Sequence, residues 1–203
     1  MEKSERRAQI LSRAKDVFAR HGYHAATVED IVASAGVARG TFYLYFEDKR
    51  AVFAELIERF LTRMHLTIQH IDTSDPRRSV ASQVRGNIQR ILGLFLHDRA
   101  MTKILLTDAL GLDAEFDRKL RAVYDEIYNL LAESLGDGQQ LGIVAAGDTR
   151  VLAWLTGGAL KELLYQSVSG QSAEPDVERL TDQVFEFLRG GYLRLSDSPP
   201  AAS

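Results

Sequence analysis

No cysteine occurs anywhere in the 203-residue chain, which excludes disulfides, thiolate zinc ribbons and thiol nucleophiles in one step. Four prolines are too few for a polyproline linker or a proline-rich disordered segment. No apolar run approaches the roughly 20 residues that a bilayer-spanning helix requires, and the polar start Met1–Arg7 does not lead into the apolar core of a secretory signal. A cytoplasmic protein with no membrane partner is expected. What the chain does contain is 45 % hydrophobic residues and 26 % charged residues of both signs, enough for a packed core in one or two domains.

Negative charge is in slight excess, a net of −3, but it is unevenly placed. Residues 1–50 hold nine Lys and Arg against seven Asp and Glu, whereas the remainder holds 16 against 21. An excess of two positive charges is weak support for nucleic-acid binding by itself, so placement has to decide.

Apolar residues recur at helical spacing from end to end and no stretch alternates long enough to build a sheet, which predicts an all-α fold of about nine helices. The first helix carries Ile10, Leu11, Ala14, Val17 and Phe18 on one face and stops at Gly22. Thr27 with Asp30 has the form of a capping box and opens a helix of about two turns that ends at Gly36. A second short segment spans Arg39 to Phe46, and Asp48 then caps a long helix whose stripe runs from Val52 to Ile68 and Ile71. Asp75-Pro76 supplies a cap and first-turn proline for the next helix, a shorter one covers Met101 to Leu110, and Asp113 caps another whose end is blurred by Gly136, Gly138 and Gly142. The last two helices span about Asp148–Val168 and Pro175–Leu195. Gly157-Gly158 interrupts the first of these at about 1 kcal/mol per glycine, which calls for an offsetting close approach.

A long helix followed by two short ones across a glycine turn is the helix-turn-helix arrangement, whose second short helix can enter the major groove of DNA. Its side chains suit that task. Arg39 can offer a bidentate fork to a guanine edge, Gly40 permits close backbone approach, and Thr41, Tyr43 and Tyr45 bring hydroxyls for phosphate oxygens. Lys49 is expected to add a phosphate contact on the first turn of the following helix. Phe42 and Phe46 are expected to anchor the opposite face. Two tyrosines one residue apart point in different directions, so one of Tyr43 and Tyr45 can be core. Arg6 and Arg7 read as solvated terminal charges, with a minor-groove arm as the alternative.

At Ile10, Ala14, Phe18, Gly22-Tyr23, Thr27, Ile31, Ala35-Gly36-Val37, Gly40-Thr41, Tyr43, Tyr45-Phe46 and Lys49 the sequence resembles the tetracycline-repressor (TetR) family of bacterial transcriptional regulators. The resemblance covers Ala8 to Phe53; beyond residue 60 it is architectural. It implies an all-helical homodimer: a three-helix DNA-binding domain (1–47), then a helical ligand-binding and dimerisation domain (48–195), here followed by a tail (196–203) expected to be disordered. It further implies that Thr27, Ala38, Arg39, Gly40, Thr41, Tyr43, Tyr45 and Lys49 face a palindromic operator in double-stranded DNA. Two departures stand out: Tyr45 replaces a frequent histidine, and Glu47-Asp48 places two acids beside the DNA face.

For the effector, the middle helices offer Phe60, Met64, Ile68, Ile88, Leu92, Phe95, Met101, Leu105, Phe116, Leu120, Tyr124, Ile127, Tyr128 and Trp154. Their composition suggests an apolar or aromatic, acyl-chain-like small molecule, although most of any such set is simply core. For the dimer, Trp154, Gly157, Gly158, Lys161, Leu164, Tyr165, Val184, Phe185, Leu188 and Tyr192 on the final hairpin suit a four-helix bundle between two copies. The five histidines (His21, His24, His65, His70 and His97) contain no Glu-x-x-His pair, and no nucleophile elbow, phosphate loop or dinucleotide fingerprint occurs. No metal, cofactor or enzymatic activity is expected. The expected function is a ligand-responsive repressor released from its operator by a hydrophobic effector. The competing reading is a helical small-molecule binding protein or enzyme whose helix-turn-helix no longer binds DNA.

Overall fold

The computed structural model describes residues 3–74, 77–107, 114–169 and 175–195, without the side chains at 107, 114–117, 119 and 120. Nine helices are found among them: α1 (Lys3–His21), α2 (Val28–Ala35), α3 (Arg39–Tyr43), α4 (Lys49–Thr67), α5 (Val80–His97), α6 (Arg99–Thr107), α7 (Ala114–Gln140), α8 (Thr149–Ser169) and α9 (Val177–Gly191). The all-α expectation holds. None of these helices is long and apolar enough to cross a membrane. The chain forms two compact units, Met1–Arg63 with Asp98–Leu120, and Met64–His97 with Arg121–Ser203. The expected tail at 196–203 lies outside the described residues.

In the first unit α1 buries Ile10, Leu11, Ala14, Val17 and Phe18 and ends where Gly22 adopts φ +77° and donates to Phe18 O at 2.9 Å. Phe18, Tyr23 and Phe53 pack ring on ring, with centroids 4.9 to 6.1 Å apart. Lys15 on α1 reaches both carboxylate oxygens of Asp98 at 2.7 and 2.9 Å, and Asp98 in turn accepts from Met101 N at the start of α6. One carboxylate therefore caps α6 and ties it to α1.

The second unit packs α5 against α9 and α8. The end of α7 that the glycines blurred is sharp: the helix runs through Gly136 and Gly138 to Gln140, and Gly142 turns the chain with φ +72°. Residues 143–145 then run beside residues 192–194, with Ala145 N donating to Tyr192 O and Arg194 N donating to Ile143 O, each at 2.8 Å. That bridge ends α9 at Gly191, short of the expected Leu195.

Several boundaries differ from expectation for identifiable reasons. Asp75-Pro76 lies outside the described residues, and α5 begins only at Val80, with Ser79 Oγ accepting from Ser82 N at 3.1 Å. Ile68 and Ile71 are not on α4, which stops at Thr67. Asp113 and Leu110 fall outside the described residues, and α6 ends at Thr107. The recognition segment is helical only over Arg39–Tyr43 before it turns into Phe46. The start of α9 is set by Asp176, whose carboxylate accepts from Glu178 N and Arg179 N.

The glycine pair in α8 has two different explanations. A Cβ at Gly157 would stand 2.4 Å from Tyr128 Cε1, whereas one at Gly158 would meet nothing within 4 Å. The close approach that offsets Gly157 is therefore made inside the chain, to the Tyr128 ring. Gly157→Ala is expected to destabilise the fold by about 1–3 kcal/mol through overpacking. Gly158→Ala, which meets open space and gains helix propensity, is expected to leave the fold's stability unreduced. Thermal denaturation of the two variants checks this.

Candidate nucleic-acid interface and effector cavity

Thr27 and Asp30 build the start of α2 reciprocally: Asp30 N donates to Thr27 Oγ1 at 3.1 Å, and Thr27 N donates to Asp30 Oδ2 at 2.9 Å. The Thr27 hydroxyl also donates to Asp30 Oδ2 at 2.6 Å. These bonds hold the Asp30 carboxyl below its ordinary pKa. The hydroxyl expected on DNA is thus committed to the cap. At the far end of α2, Gly36 takes the left-handed conformation, φ +62°, and its N–H closes onto Ala33 O and Val32 O. The tight turn then delivers Ala38 as the exposed N-cap of α3, without a side-chain cap bond.

The position of α3 is fixed from beneath. Phe42 is 0 % exposed and Phe46 is 3 % exposed, and their rings lie 5.8 Å apart. Arg7 lies over the Phe46 ring at 4.4 Å, donates to Tyr45 O at 2.9 Å and pairs with Glu55 on α4. It is therefore neither a solvated terminal charge nor a groove arm. It clamps α1, the end of α3 and α4 together. Arg6 is bonded to Gln9, which holds Ala35 O.

Lys49 corrects a second expectation. Its ammonium donates to Tyr23 O, His24 O and Ala26 O at 2.8 to 3.0 Å and stands over the Tyr23 ring at 4.7 Å. All three N–H donors are used inside the fold, on the turn between α1 and α2, and not on a phosphate. Burial lowers the pKa of this ammonium from the usual lysine value.

The face of α3 opposite Phe42 carries the remaining expected residues. Arg39 and Gly40 are exposed, Thr41 is half-buried, and Tyr43 is 46 % exposed. Tyr45 is the more covered of the two tyrosines but is only half-buried, so neither is a core residue. No atom lies within 4 Å of where a Gly40 Cβ would sit, so backbone is open to a partner there. Arg39 is held on its own surface: Nη1 lies 2.7 Å from Glu29 Oε1, Nη2 lies 3.4 Å from Tyr43 Oη, and the guanidinium lies 5.8 Å from the centre of the Tyr43 ring. The Tyr43 bond, with Glu29 second, raises its already high pKa. Two residues of this face were not anticipated. Leu44, 76 % exposed, is an apolar side chain on an otherwise polar face, and Glu29 sits across from Arg39. Leu44 was legible as the odd apolar position beside Phe42 and Phe46; the Glu29 pairing was not, because it joins two different helices.

A cavity of about 260 Å³ lies within the second unit. It brings together Ile68, Ile88 and Leu92 from the expected effector residues and adds Ile91, Leu131, Leu135, Ile143, Val144, Leu160 and others that were not anticipated. Val184, Leu188 and Tyr192, expected at the dimer contact, are walls of this cavity. Aliphatic side chains dominate, and Tyr192, the phenolic ring among them, has its hydroxyl engaged with Thr156 Oγ1 at 2.8 Å. Phe60, Met64 and Phe95 are buried but are not among its walls, and Met101 and Leu105 belong to the core of the first unit. Tyr124, Ile127 and Tyr128 lie outside it as well. The Tyr124 hydroxyl is pushed by burial up to about 12, and Lys161 sits over its ring at 5.0 Å. The side chains of Phe116 and Leu120 are outside the described residues.

One wall of the cavity is the extended strap that follows α4. Asn87 on α5 grips both polar groups of Gln69, accepting from its N–H at 2.9 Å and donating to its carbonyl at 2.8 Å. Gln83 does the same for Asp72, at 2.9 and 2.7 Å. Arg90 braces the first end of the strap, donating to Thr67 O at the last residue of α4 and to Asn87 Oδ1. Side-chain amides thus take the place of a neighbouring strand for the backbone of Gln69 and Asp72.

Of the expected dimer residues, Leu164 and Phe185 are buried by the chain itself. Trp154 is 54 % exposed and Tyr165 is also exposed, and Gly158 faces open space. Val151 and Leu155, the latter 67 % exposed, fall on the same side of α8 by their three- and four-residue spacing, and Phe187 on α9 is 66 % exposed. Among the described residues no group of three or more His, Asp or Glu is placed to hold a metal ion.

A helix-turn-helix with a buried aromatic anchor and a polar outer face, joined in one chain to a helical unit enclosing an aliphatic cavity, defines a DNA-binding regulator. Residues 10–56 match the profile of bacterial regulatory proteins of the tetR family. The chain is 27 % identical over 188 residues to a fatty acid metabolism regulator protein of Bacillus subtilis, covering 90 % of this chain and 93 % of that one. Its fold is similar to that of the fatty acid degradation regulator FadR from Bacillus halodurans, with a TM-score of 0.76, 27 % identity and coverage of 97 % and 100 %. It is also similar to FadR from Bacillus subtilis in complex with stearoyl-CoA, with a TM-score of 0.71, 26 % identity and coverage of 91 % and 98 %. Residues 10–56 are thus a tetR-family DNA-binding region, and the chain that carries them is a helix-turn-helix transcriptional regulator.

The two cations that looked alike in the sequence should separate in experiment. Lys49→Met is expected to lower stability by about 2 kcal/mol, because carbonyls lose a charged donor, and so to lower the melting temperature by roughly 4–8 °C. Arg39→Ala is expected to leave the melting temperature within error while weakening DNA binding. Calorimetry and fluorescence anisotropy on the same preparations check both.

Proposed function

We propose that this chain is a cytoplasmic repressor that binds a palindromic operator as a homodimer and releases it when a fatty-acyl effector fills the cavity of the second unit. The observation that carries the DNA-binding part is the disposition of α3: Phe42 is wholly buried while Arg39, Gly40 and Tyr43 face outward. Arg39 is the base-reading residue, and Thr41, Tyr43 and Tyr45 bring hydroxyls to phosphate oxygens, with backbone at Ala38 and Gly40 close to the duplex. Two such helices related by a two-fold axis read half-sites one helical turn, about 34–36 Å, or a multiple apart.

Dimerisation is supported by the outward apolar side of α8. Val151, Trp154, Leu155 and Tyr165 are exposed there beside the open Gly158, an apolar stripe that a soluble monomer rarely leaves uncovered. Trp154→Asp is expected to convert a dimer into a monomer in light-scattering measurements. A wild-type monomer at micromolar concentration would overturn this part.

The effector class follows from the cavity walls. Isoleucine, leucine and valine on nearly every side suit a flexible hydrocarbon chain better than a stacked aromatic ring. The similarity to regulators of fatty acid metabolism, one of them in complex with stearoyl-CoA, points the same way. Because the strap at residues 68–72 continues directly from α4 and forms a cavity wall, a chain entering beneath it would strain the Asn87 and Gln83 grips and displace the end of α4. To release the operator the effector must favour the displaced state; moving the population from 1:99 to 99:1 needs about 5.5 kcal/mol of differential binding.

The experiment is a titration of the protein on its operator at two salt concentrations, with and without long-chain acyl-CoA, alongside a thermal-shift panel. Binding that falls steeply with salt, release by the acyl thioester, and a raised melting temperature are expected. Stabilisation by polar metabolites alone would overturn the effector assignment, and salt-insensitive or absent DNA binding would overturn the repressor reading.

A further inference from the structure

We propose that Glu29 is a specificity-determining positioning residue: it holds the Arg39 guanidinium off the DNA backbone and aimed at a base edge. The inference rests on the reading of α3 as the recognition helix and goes beyond it by assigning a role to an acidic residue on α2.

Glu29 Oε1 lies 2.7 Å from Arg39 Nη1, and both side chains are well exposed, 60 % and 65 %. As an isolated surface ion pair it contributes little to stability, so a stability role does not account for placing an acid on the face that meets a polyanion. The rest of the geometry does. Arg39 Nη2 reaches Tyr43 Oη at 3.4 Å, and the guanidinium approaches the Tyr43 ring at 5.8 Å from its centre. Contacts from two directions, Glu29 on α2 and Tyr43 one turn along α3, restrict a side chain that otherwise samples many rotamers. Arginine has five N–H donors in a planar fork. Glu29 and Tyr43 take one from each terminal nitrogen, which leaves one on each, together with Nε–H, for a guanine edge.

An unrestrained arginine at this position would be drawn to the nearest phosphate, a contact that positions the protein and carries no sequence information. The Glu29 carboxylate competes for that guanidinium in place of a phosphate. It also repels the backbone, so it trades general affinity for selectivity. The two effects have opposite signs, and this distinguishes a positioning role from a merely structural one, whose loss would weaken both.

The test uses the full-length protein, its Glu29→Ala, Glu29→Gln and Arg39→Ala variants and the Glu29→Ala/Arg39→Ala double variant. Each selects from a library of randomised DNA duplexes, and each is titrated on a random-sequence duplex. The wild type is expected to enrich sites with guanine at one position per half-site, and Arg39→Ala to lose that preference, worth roughly 5- to 150-fold for a bidentate pair. Glu29→Ala is expected to flatten the same position by about 5-fold, leave the others unchanged, and bind random DNA about 3-fold more tightly. Glu29→Gln, which keeps an acceptor oxygen, should retain more of the preference, and the double variant should match Arg39→Ala at that position. A preference that survives Glu29→Ala while Arg39→Ala abolishes it would overturn the proposal alone, as would weaker binding to every sequence. A wild type that enriches no sequence would overturn the DNA-binding reading together with it.

Discussion

A five-residue helix has no stability of its own in water, because nucleating one turn costs more than its few hydrogen bonds return. The recognition helix α3 spans Arg39–Tyr43 and therefore exists only because something else holds it. That constraint is the burial of Phe42, with Phe46 beside it. Around this anchor the protein spends its best-placed cations inward. Arg7 covers the Phe46 ring and grips Tyr45 O, while Lys49 gathers three carbonyls of the turn that precedes α2. A side chain contacting DNA must be presented within a few tenths of an ångström, and these interior contacts supply that rigidity. The polar face is left outward, where Arg39 pairs with Glu29 and reaches the Tyr43 hydroxyl.

The second unit solves a different problem with the same materials. A ligand-responsive element has to be ordered when empty and movable when filled, which requires a few discrete interactions rather than a continuous core. In the proposed mechanism the strap at 68–72 is that element. Its backbone is held at Gln69 and Asp72 by two side-chain amides, Asn87 and Gln83, and its apolar residues Ile68 and Ile71 are cavity walls. Arg90 fastens the strap to the end of α4 through Thr67 O. An occupant that displaces the strap therefore acts on α4 through the backbone itself.

Much of this was legible in the sequence. The long helices follow from apolar spacing, and the caps at Thr27 and Asp48 and the turns at Gly22 and Gly36 mark helix ends as expected. The buried face of α3 followed from Phe42 and Phe46. What was not legible has one physical origin: a sequence shows that a side chain is charged or apolar, not which neighbour it meets. Lys49 and Arg7 read as DNA or solvent contacts because their carbonyl and carboxylate partners lie 23 to 48 residues away in the chain. Val184 and Leu188 read as dimer residues because a helical stripe looks the same whether it faces a second copy or a cavity. Gly157 seemed to want a partner molecule until the Tyr128 ring filled the space. Ile68 and Ile71 continued the α4 periodicity past the true end of the helix at Thr67.

The central claim is that a short helix, pinned by buried aromatics, presents its polar side to a duplex. Amide hydrogen exchange compared between the free protein and the protein saturated with a selected duplex tests it most directly. The account predicts added protection concentrated between Thr27 and Phe46, with the strap and the helices around the cavity little changed. Unchanged exchange in that segment, with protection appearing only on α7, α8 or α9, would contradict it.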